Sequence, residues 1–228
     1  RNSYQQNIFN KEIKKSIGLK KDEYCIIPLE NNGQYSLTEA YNIIWKQAEE
    51  LYPLDNTILV LCHHDIHFKN QGWGKNLLNI FNNNEVDIVG LAGTDKFYYH
   101  GAWWLDSLRV FNQKDLWGKV WHTDGKKEWQ SNFTKEKKCA KLQPVIAIDG
   151  LFMAFNPITC SKFDEDFKGF HYYEISFCIN NFLKGCKLAV TETIQVCHES
   201  GGALNQEWEN NRNQFISKYM PEGKTLEL

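Results

Sequence analysis

The stretch Thr57–His67, TILVLCHHDIH, joins an unbroken apolar run to a cluster of polar side chains that can bind a metal ion. Its first six residues are β-branched or apolar without alternation, which is typical of a strand buried on both faces, as in a parallel sheet. The five residues that follow include three histidines and an aspartate. Because ligands of open α/β sheets collect at the carboxyl ends of strands, this stretch predicts both a sheet and the edge at which a site lies.

Amphipathic helices and further strands flank this stretch on both sides. Ser36–Glu39 has the pattern of a capping box, and apolar residues recur at helical spacing over Leu37–Leu51. A second helix is expected over Trp73–Phe81, followed by a second buried strand over Val86–Leu91. With a further strand expected over Tyr24–Pro28, the order β-α-β-α-β predicts an α/β protein with a doubly wound sheet.

The second half of the chain predicts less regular structure before the same kinds of element return. Residues 97–142 carry many tryptophans and lysines, and we expect a loop-rich or antiparallel region there. Within it, Lys135–Lys141 is expected to form a solvated hairpin or insert. Further strands and helices are expected over 145–155, 170–183, 187–190, 193–197 and 205–219.

Composition and charge limit the classes of protein to which the chain can belong. Its 228 residues are 42% hydrophobic and 14% aromatic, which is enough for a core and excludes a disordered tail. The net charge of −2 offers no cationic excess for general nucleic-acid binding. The longest apolar run, Ile58–Cys62, is far shorter than the ~20 residues of a transmembrane helix. The seven cysteines contain no C-x-x-C pair and Arg1–Lys15 does not resemble a signal peptide, so we expect reduced thiols and a cytoplasmic location.

Asp65 and His67 are the first candidate metal ligands. Two residues apart in an extended loop, their side chains can point the same way and share one divalent ion. His198 follows another apolar strand and is a candidate third ligand. Mixed oxygen and nitrogen ligands favour Mn²⁺ or another divalent transition metal. The alternative is a solvated polar loop with a helix-capping aspartate. His63 and His64 are further candidates, although one of them is expected to be packed or hydrogen-bonded.

Two acidic residues are candidates for contact with a substrate. Asp149 interrupts an apolar run, where an unpaired carboxylate is costly to bury, so it either faces a sugar hydroxyl or forms a tight turn with Gly150. Glu174 lies in the first turn of a predicted helix, where it either acts as a general base or is stabilised by the helix dipole. Three tryptophans either stack on sugar rings or belong to the core: Trp73, Trp103 and Trp104.

Six segments, in chain order, resemble the motifs of a glycosyltransferase-like family that is allied to the family 2 glycosyltransferases and has the GT-A fold. Leu59–Ile66 (LVLCHHDI) is similar to the family's strand ending in H-x-D-[VI], and Ile148–Phe155 (IDGLFMAF) to its D-G-x-F-x-A segment. The other similar segments are Ser36–Ala48 (SLTEAYNIIWKQA), Val89–Gly93 (VGLAG), Phe170–Ser176 (FHYYEIS) and Cys197–Gly202 (CHESGG).

The resemblance implies a fold and an activity. The fold would be a GT-A-like, Rossmann-type doubly wound mixed sheet with helices on both faces, in one domain over residues 1–228. Residues 1–95 would bind the nucleotide sugar and residues 96–228 the acceptor. The family's first strand is expected to be absent, because the chain opens on a predicted helix over 1–19. The activity would be that of a metal-dependent hexosyltransferase that moves a sugar from a UDP-sugar to a glycan or glycoprotein hydroxyl.

The same resemblance implies roles for residues at the donor side of the site. Asp65 would hold the donor diphosphate through Mn²⁺, with His67 in place of the second acid of a D-x-D motif. His198 would complete the metal site. Asp65, His64 and Gly93 are expected to contact the nucleotide sugar.

At the acceptor side, Glu174 stands where inverting relatives carry an aspartate that acts as the base. Asp149 is expected to contact the donor or acceptor sugar and is counted with Glu174 as catalytic. The D-x-H variant also occurs in retaining enzymes, so the stereochemical outcome stays open.

Two other classes of protein remain compatible with these residues. A metal-dependent hydrolase would use the same histidine and aspartate cluster, and it would turn over ester or phosphoester probes with no nucleotide sugar present. A catalytically inactive glycan-binding module would hold a glycan with its aromatic side chains and would need no metal ion.

Overall fold

The computed structural model describes residues 3–111, 113–134, 141–199 and 204–228, with side chains from residue 8 onward. The helices in these ranges are α1 (Ser3–Ser16), α2 (Leu37–Leu51), α3 (Trp73–Asn83), α4 (Tyr173–Leu183) and α5 (Gln206–Tyr219). The strands are β1 (Leu59–Cys62), β2 (Ile66–Phe68), β3 (Ile88–Gly90), β4 (Ala92–Thr94), β5 (Lys96–Phe97), β6 (Leu116–Thr123), β7 (Glu128–Asn132), β8 (Leu142–Val145), β9 (Ala147–Ile148), β10 (Phe152–Phe155), β11 (Leu188–Thr191), β12 (Val196–His198) and β13 (Leu226–Glu227). Single 3₁₀ turns lie at Leu54–Asn56 and Gln113–Asp115.

The described strands form two mixed sheets and a small two-stranded one. The first has the order β1-β10-β3-β11-β8, in which only β3 and β11 run parallel. The second has the order β2-β12-β6-β4-β9, with β7 paired to β6, and only β12 and β6 run parallel. Strands β13 and β5 pair separately. The predicted α/β class and mixed sheet are therefore confirmed.

The helix predicted over Leu37–Leu51 is confirmed together with its capping box. The backbone N–H of Glu39 donates to Ser36 Oγ, and the Glu39 carboxylate accepts from the Ser36 N–H at 2.9 Å. One face of the helix carries buried side chains, among them Trp45, whose ring lies 4.9 Å from that of Phe155 in β10. Helical spacing of apolar residues and a local cap are therefore sufficient to predict this helix from the sequence.

Two details of the sequence-based prediction are wrong. The segment Tyr24–Pro28 forms no strand; Tyr24 and Ile27 pack against the core, but their backbone has no ladder partner. The apolar run at β1 is also not buried on both faces of a parallel sheet. It lies at the edge of its sheet, pairs antiparallel to β10, and buries Leu59 and Leu61 more fully than Val60 and Cys62.

The other predicted elements agree with the structure within a few residues at their ends. The expected antiparallel region contains the β6–β7 hairpin, in which Trp121 pairs with Gln130. Residues 135–140 of the predicted lysine-rich insert lie outside the described residues. Among the described helices, none combines the length and the apolar character needed to span a bilayer.

Candidate functional site

The turn between β1 and β2 and the end of β12 bring three possible metal ligands together. His63 and Asp65 lie in the turn, and the His63 N–H donates to the Leu151 carbonyl at 2.9 Å. His198 ends β12, which pairs antiparallel to β2. The N–H of Glu199 then donates to the Asp65 carbonyl at 3.0 Å. Backbone hydrogen bonds therefore hold the turn and the strand end against each other.

The three side chains converge at distances that suit one divalent ion. His63 Nδ1 lies 3.3 Å from His198 Nε2 and 3.9 Å from Asp65 Oδ1, and His198 Nε2 lies 3.5 Å from the same oxygen. Donor atoms that each lie ~2.1 Å from a common ion are roughly 3 to 3.5 Å apart. The side chains of Asp65 and His198 are only 12% and 11% exposed. Two imidazoles and a carboxylate form a donor set suited to Mn²⁺ or a similar transition metal.

Tyr173 positions the ring of His63. Its hydroxyl lies 2.7 Å from His63 Nε2, on the far side of the ring from the other possible ligands. Burial raises the pKa of Tyr173 well above its ordinary value, so the phenol stays neutral and can accept a hydrogen bond. Burial, together with the neighbouring His198 and His64, lowers the pKa of His63 against the opposing charges of Asp149 and Asp65. A neutral ring that donates from Nε2 leaves the Nδ1 lone pair facing Asp65 and His198, as metal ligation requires.

His67, predicted as a ligand, lies outside this group. Its Nδ1 is 2.9 Å from Glu12 Oε2 and its Nε2 is 2.6 Å from Glu199 Oε1. Burial by itself would lower the pKa of His67. The hydrogen bonds to these two carboxylates outweigh this effect, so the net shift of the pKa is upward. The reason is strand alternation: Ile66 and Phe68 point into the core, so His67 between them points outward.

The two other residues expected to contact the donor lie beside the group of possible ligands and not in it. His64 is exposed in the turn between His63 and Asp65. Gly93 is buried in the middle of β4, where a Cβ atom would clash with the Ala147 carbonyl oxygen. Gly93 thus permits close approach of β9, while its neighbour Ala92 lines the cavity.

The two predicted catalytic carboxylates face the same cavity as the possible metal ligands. Asp149 lies in the turn between β9 and β10, where its Oδ1 accepts from the Leu151 N–H at 2.9 Å and its own N–H donates to the Ala92 carbonyl. Glu174 lies in the first turn of α4. A Cβ atom at Gly150 would clash with the Tyr173 hydroxyl, so the absence of a side chain there lets the turn lie against α4.

Glu174 is held in an environment that favours its protonated form. Its Oε2 atom is buried and has no hydrogen-bond partner among the described residues. Burial, followed by the charge of Asp149, raises the pKa of Glu174 to about 8, although the N–H groups of Glu174 and Ile175 partly oppose the shift. A carboxylate with a pKa near neutrality is suited to accept a proton from a substrate.

The cavity has a volume of about 490 Å³, and its lining combines a few polar groups with many apolar and aromatic side chains. His63, His198, Asp149 and Glu174 all line it. Trp103 and Trp104, for which the sequence left sugar stacking and a place in the core as alternatives, both line the cavity, and Trp103 is also part of the buried core. The third tryptophan, Trp73, belongs to the core: it stacks on Phe68 at 4.3 Å and donates to Ser16 Oγ.

Sequence reasoning missed several residues of the cavity. His122 in β6 lies beside His198 in the parallel register and contacts Ser131 Oγ at 3.0 Å through Nε2. Burial lowers the pKa of His122. Tyr172 precedes α4 with a φ of +63°, a conformation that is rare for a side chain of its size, and donates to the Gly101 carbonyl. His122 belongs to a strand and Tyr172 to a turn, so only the fold brings them to the cavity.

Comparison with known proteins gives a family and a fold. The model of a family described as "Glycosyltransferase like family" matches residues 8–219. No curated protein matches the chain. Among solved structures, the chain is similar to GalNAc-T7 in complex with UDP, GalNAc and Mn²⁺, with a TM-score of 0.51 and 12% sequence identity. The similarity covers 82% of this chain but 36% of that one, so the chain spans about a third of its length. At this identity the likeness concerns the fold, which is of the GT-A type.

Proposed function

The chain belongs to this glycosyltransferase-like family, and we propose that it transfers a sugar from a UDP-sugar to a hydroxyl group of a glycan or glycoprotein acceptor. The observation that carries the proposal is the shared cavity: the three possible metal ligands and the two carboxylates line or adjoin one space of about 490 Å³. GalNAc-T7, which has a similar fold, binds UDP and Mn²⁺, and this supports the choice of donor.

We propose His63, Asp65 and His198 as the residues that hold a divalent cation, with Mn²⁺ as the expected ion. Their donor atoms lie within 4.8 Å of one another. His63 replaces His67 in this proposal because both ring nitrogens of His67 already contact carboxylates. When bound, the cation supplies positive charge that stabilises the diphosphate leaving group.

Glu174 is proposed as the general base and Asp149 as the residue that orients a sugar. The acceptor oxygen attacks the anomeric carbon of the donor, the bond from that carbon to the diphosphate breaks, and the acceptor proton passes to Glu174. A pKa of about 8 makes Glu174 a stronger base than an ordinary carboxylate once it is ionised. The fixed Asp149 carboxylate can accept a hydrogen bond from a sugar hydroxyl.

Thermal unfolding with Mn²⁺, with UDP and with both tests the donor site. A ligand present at 100 times its dissociation constant stabilises the native state by about 2.7 kcal/mol, so the midpoint rises measurably. We expect the two ligands together to raise the midpoint by more than the sum of their separate effects. The Asp65→Asn and His63→Asn variants should lose this joint effect, and both should lose Mn²⁺-dependent release of UDP from a UDP-sugar.

His67→Asn is the matched control, since it changes a histidine of the same segment that lies outside the proposed ligand set. It should keep the joint effect of Mn²⁺ and UDP. Loss of the effect in His67→Asn but not in His63→Asn would instead support the ligand set predicted from the sequence. No effect of UDP, with turnover of phosphoester probes, would point to a hydrolase.

A further inference from the structure

Part of the cavity lining is apolar and exposed, and we call this part the rim. Three side chains that line the cavity are largely exposed: Phe111 at 55%, Phe170 at 64% and Leu204 at 66%. Two half-buried tryptophans, Trp104 and Trp208, also line the cavity, with ring centroids 5.9 Å apart. Exposed apolar groups clustered at a cavity mark a surface that a ligand covers.

Polar interactions hold two parts of this rim in place. The N–H of Phe170 donates to Glu207 Oε1 at 3.0 Å. The preceding residue, Gly169, has a φ of +77°, and a Cβ atom there would overlap the same carboxylate in its present position. On the other side, Asp106 accepts from the N–H groups of Leu108 and Val110 at 2.8 and 3.0 Å.

The turn that Asp106 organises extends the apolar surface outward from Phe111. Leu108 is 80% exposed and Val110 is 59% exposed, and Arg109 between them has a φ of +60°. A residue other than glycine in this conformation is uncommon and carries strain. Phe111 joins the turn to the cavity through a backbone bridge with Leu105. Phe111 thus connects the turn and its exposed apolar side chains to the cavity lining.

We infer that this rim binds an apolar part of the acceptor, so that the substrate is amphipathic, with a hydroxyl-bearing head and an apolar tail. The inference rests on the proposed function, because it uses the position of the reacting hydroxyl. That hydroxyl must reach Glu174, whose Oε2 atom is buried, and the inference places the remainder of the acceptor along the exposed apolar side chains that line the same cavity. A purely polar acceptor would leave Phe170 and Leu204 exposed to water, whereas an alkyl or aromatic aglycone would bury them.

Paired glycosides test the inference. Tryptophan fluorescence is titrated with octyl and methyl β-D-glucopyranoside, and with the corresponding galactosides, below the micelle concentration of the octyl compounds. Burial of as few as two methylene groups strengthens binding roughly tenfold, so we expect at least that preference for the octyl compound of one sugar. The double variant Phe170→Ser/Leu204→Ser should reduce the preference to about threefold or less.

Ile158→Ser is the matched control, because Ile158 is 58% exposed but does not line the cavity. It should keep the full preference. Equal binding of octyl and methyl compounds, no binding of either octyl glycoside, or a preference that survives in the rim variant would each overturn the inference. The response to Mn²⁺ and UDP in the same samples separates the failures: if that response persists, the rim assignment alone is wrong, and if it is absent, the proposed function fails.

Discussion

At the scale of single residues, the two carboxylates of the cavity are held in different ways. Asp149 is fixed by the hydrogen bond from the Leu151 N–H, whereas Glu174 keeps one oxygen buried without a partner among the described residues. Burial and the nearby charge of Asp149 favour the protonated form of Glu174 more than its backbone hydrogen bonds favour the ionised form, and this agrees with its pKa of about 8. Ionising Glu174 therefore costs stability in the folded state.

The first prediction concerns this cost. The pKa of Glu174 is 4.5 in its ordinary state and about 8 in the folded protein, so the folded state binds the proton more tightly. The contribution of Glu174 to stability is fully present below pH 4.5 and is lost as the pH rises through about 8. A shift of this size corresponds to roughly 3 to 5 kcal/mol.

The Glu174→Gln substitution removes the ionisable carboxyl group but keeps the size and shape of the side chain. The free energy of unfolding is measured with urea, in the presence of EDTA, from pH 4 to 9. As the pH rises, it should fall less for the variant than for the wild type. Because Asp149 contributes to the shift, Asp149→Asn should weaken the pH dependence without abolishing it. Parallel stability curves for wild type and Glu174→Gln would show that Glu174 is not the group responsible.

At the scale of elements, the turn between β9 and β10 depends on one glycine. A Cβ atom at Gly150 would overlap the Tyr173 hydroxyl and come within 2.9 Å of Glu174 Cβ. The turn carries Asp149, and α4 carries Tyr173 and Glu174. The close packing at Gly150 therefore sets the distance between the two carboxylates and, through Tyr173, the orientation of His63.

Gly150→Ala should destabilise the protein by about 1–3 kcal/mol, because the added methyl group overpacks a rigid contact. Gly185→Ala is the comparison, since Gly185 has a φ of +92° but open space around it, and it should cost about 1 kcal/mol from backbone strain alone. Urea unfolding measures both. In a double-mutant cycle, Tyr173→Phe should relieve part of the Gly150→Ala penalty, and strictly additive effects would contradict the proposed contact.

Elements with a strong local signal were predictable from the sequence, and those that depend on distant partners were not. The capping box and apolar spacing of α2 are local, so both its ends were predicted. Tyr24–Pro28 has the composition of a strand but no neighbouring strand to pair with, and composition cannot reveal this. The proposed ligand set illustrates the same limit: Asp65 and His198 are candidates both from the sequence and from the geometry, but choosing between His63 and His67 requires knowing where β2 begins.

At the scale of the whole molecule, the candidate metal centre lies where the chain passes from one sheet to the other. β1 is an edge strand of the five-stranded sheet, and β2 is an edge strand of the second sheet. The turn that connects them holds His63 and Asp65, and His198 ends a strand of the second sheet. A cation bound there would link the two sheets.

Hydrogen exchange should reveal this link. Mn²⁺ is expected to slow amide exchange at residues 63–67 and at 197–199, because opening either segment would separate the ligands. The hydrogen-bonded amides at 184–186, at the opposite end of α4 from Tyr173, serve as the internal control and should not respond. Asp65→Asn should abolish the protection. Uniform slowing across the chain, or protection that survives in Asp65→Asn, would exclude a local ionic link.

The separation of the ligands along the chain also determines when the centre can form during synthesis. His63 and His198 are 135 residues apart, and the parallel pairing of β12 with β6 forms only after most of the chain exists. A nascent chain that has left the ribosome only as far as β11 contains His63 and Asp65 but lacks β12 and His198. Loading of the proposed metal centre would therefore be a late event in biogenesis, and a truncated translation product would be released without all three proposed ligands.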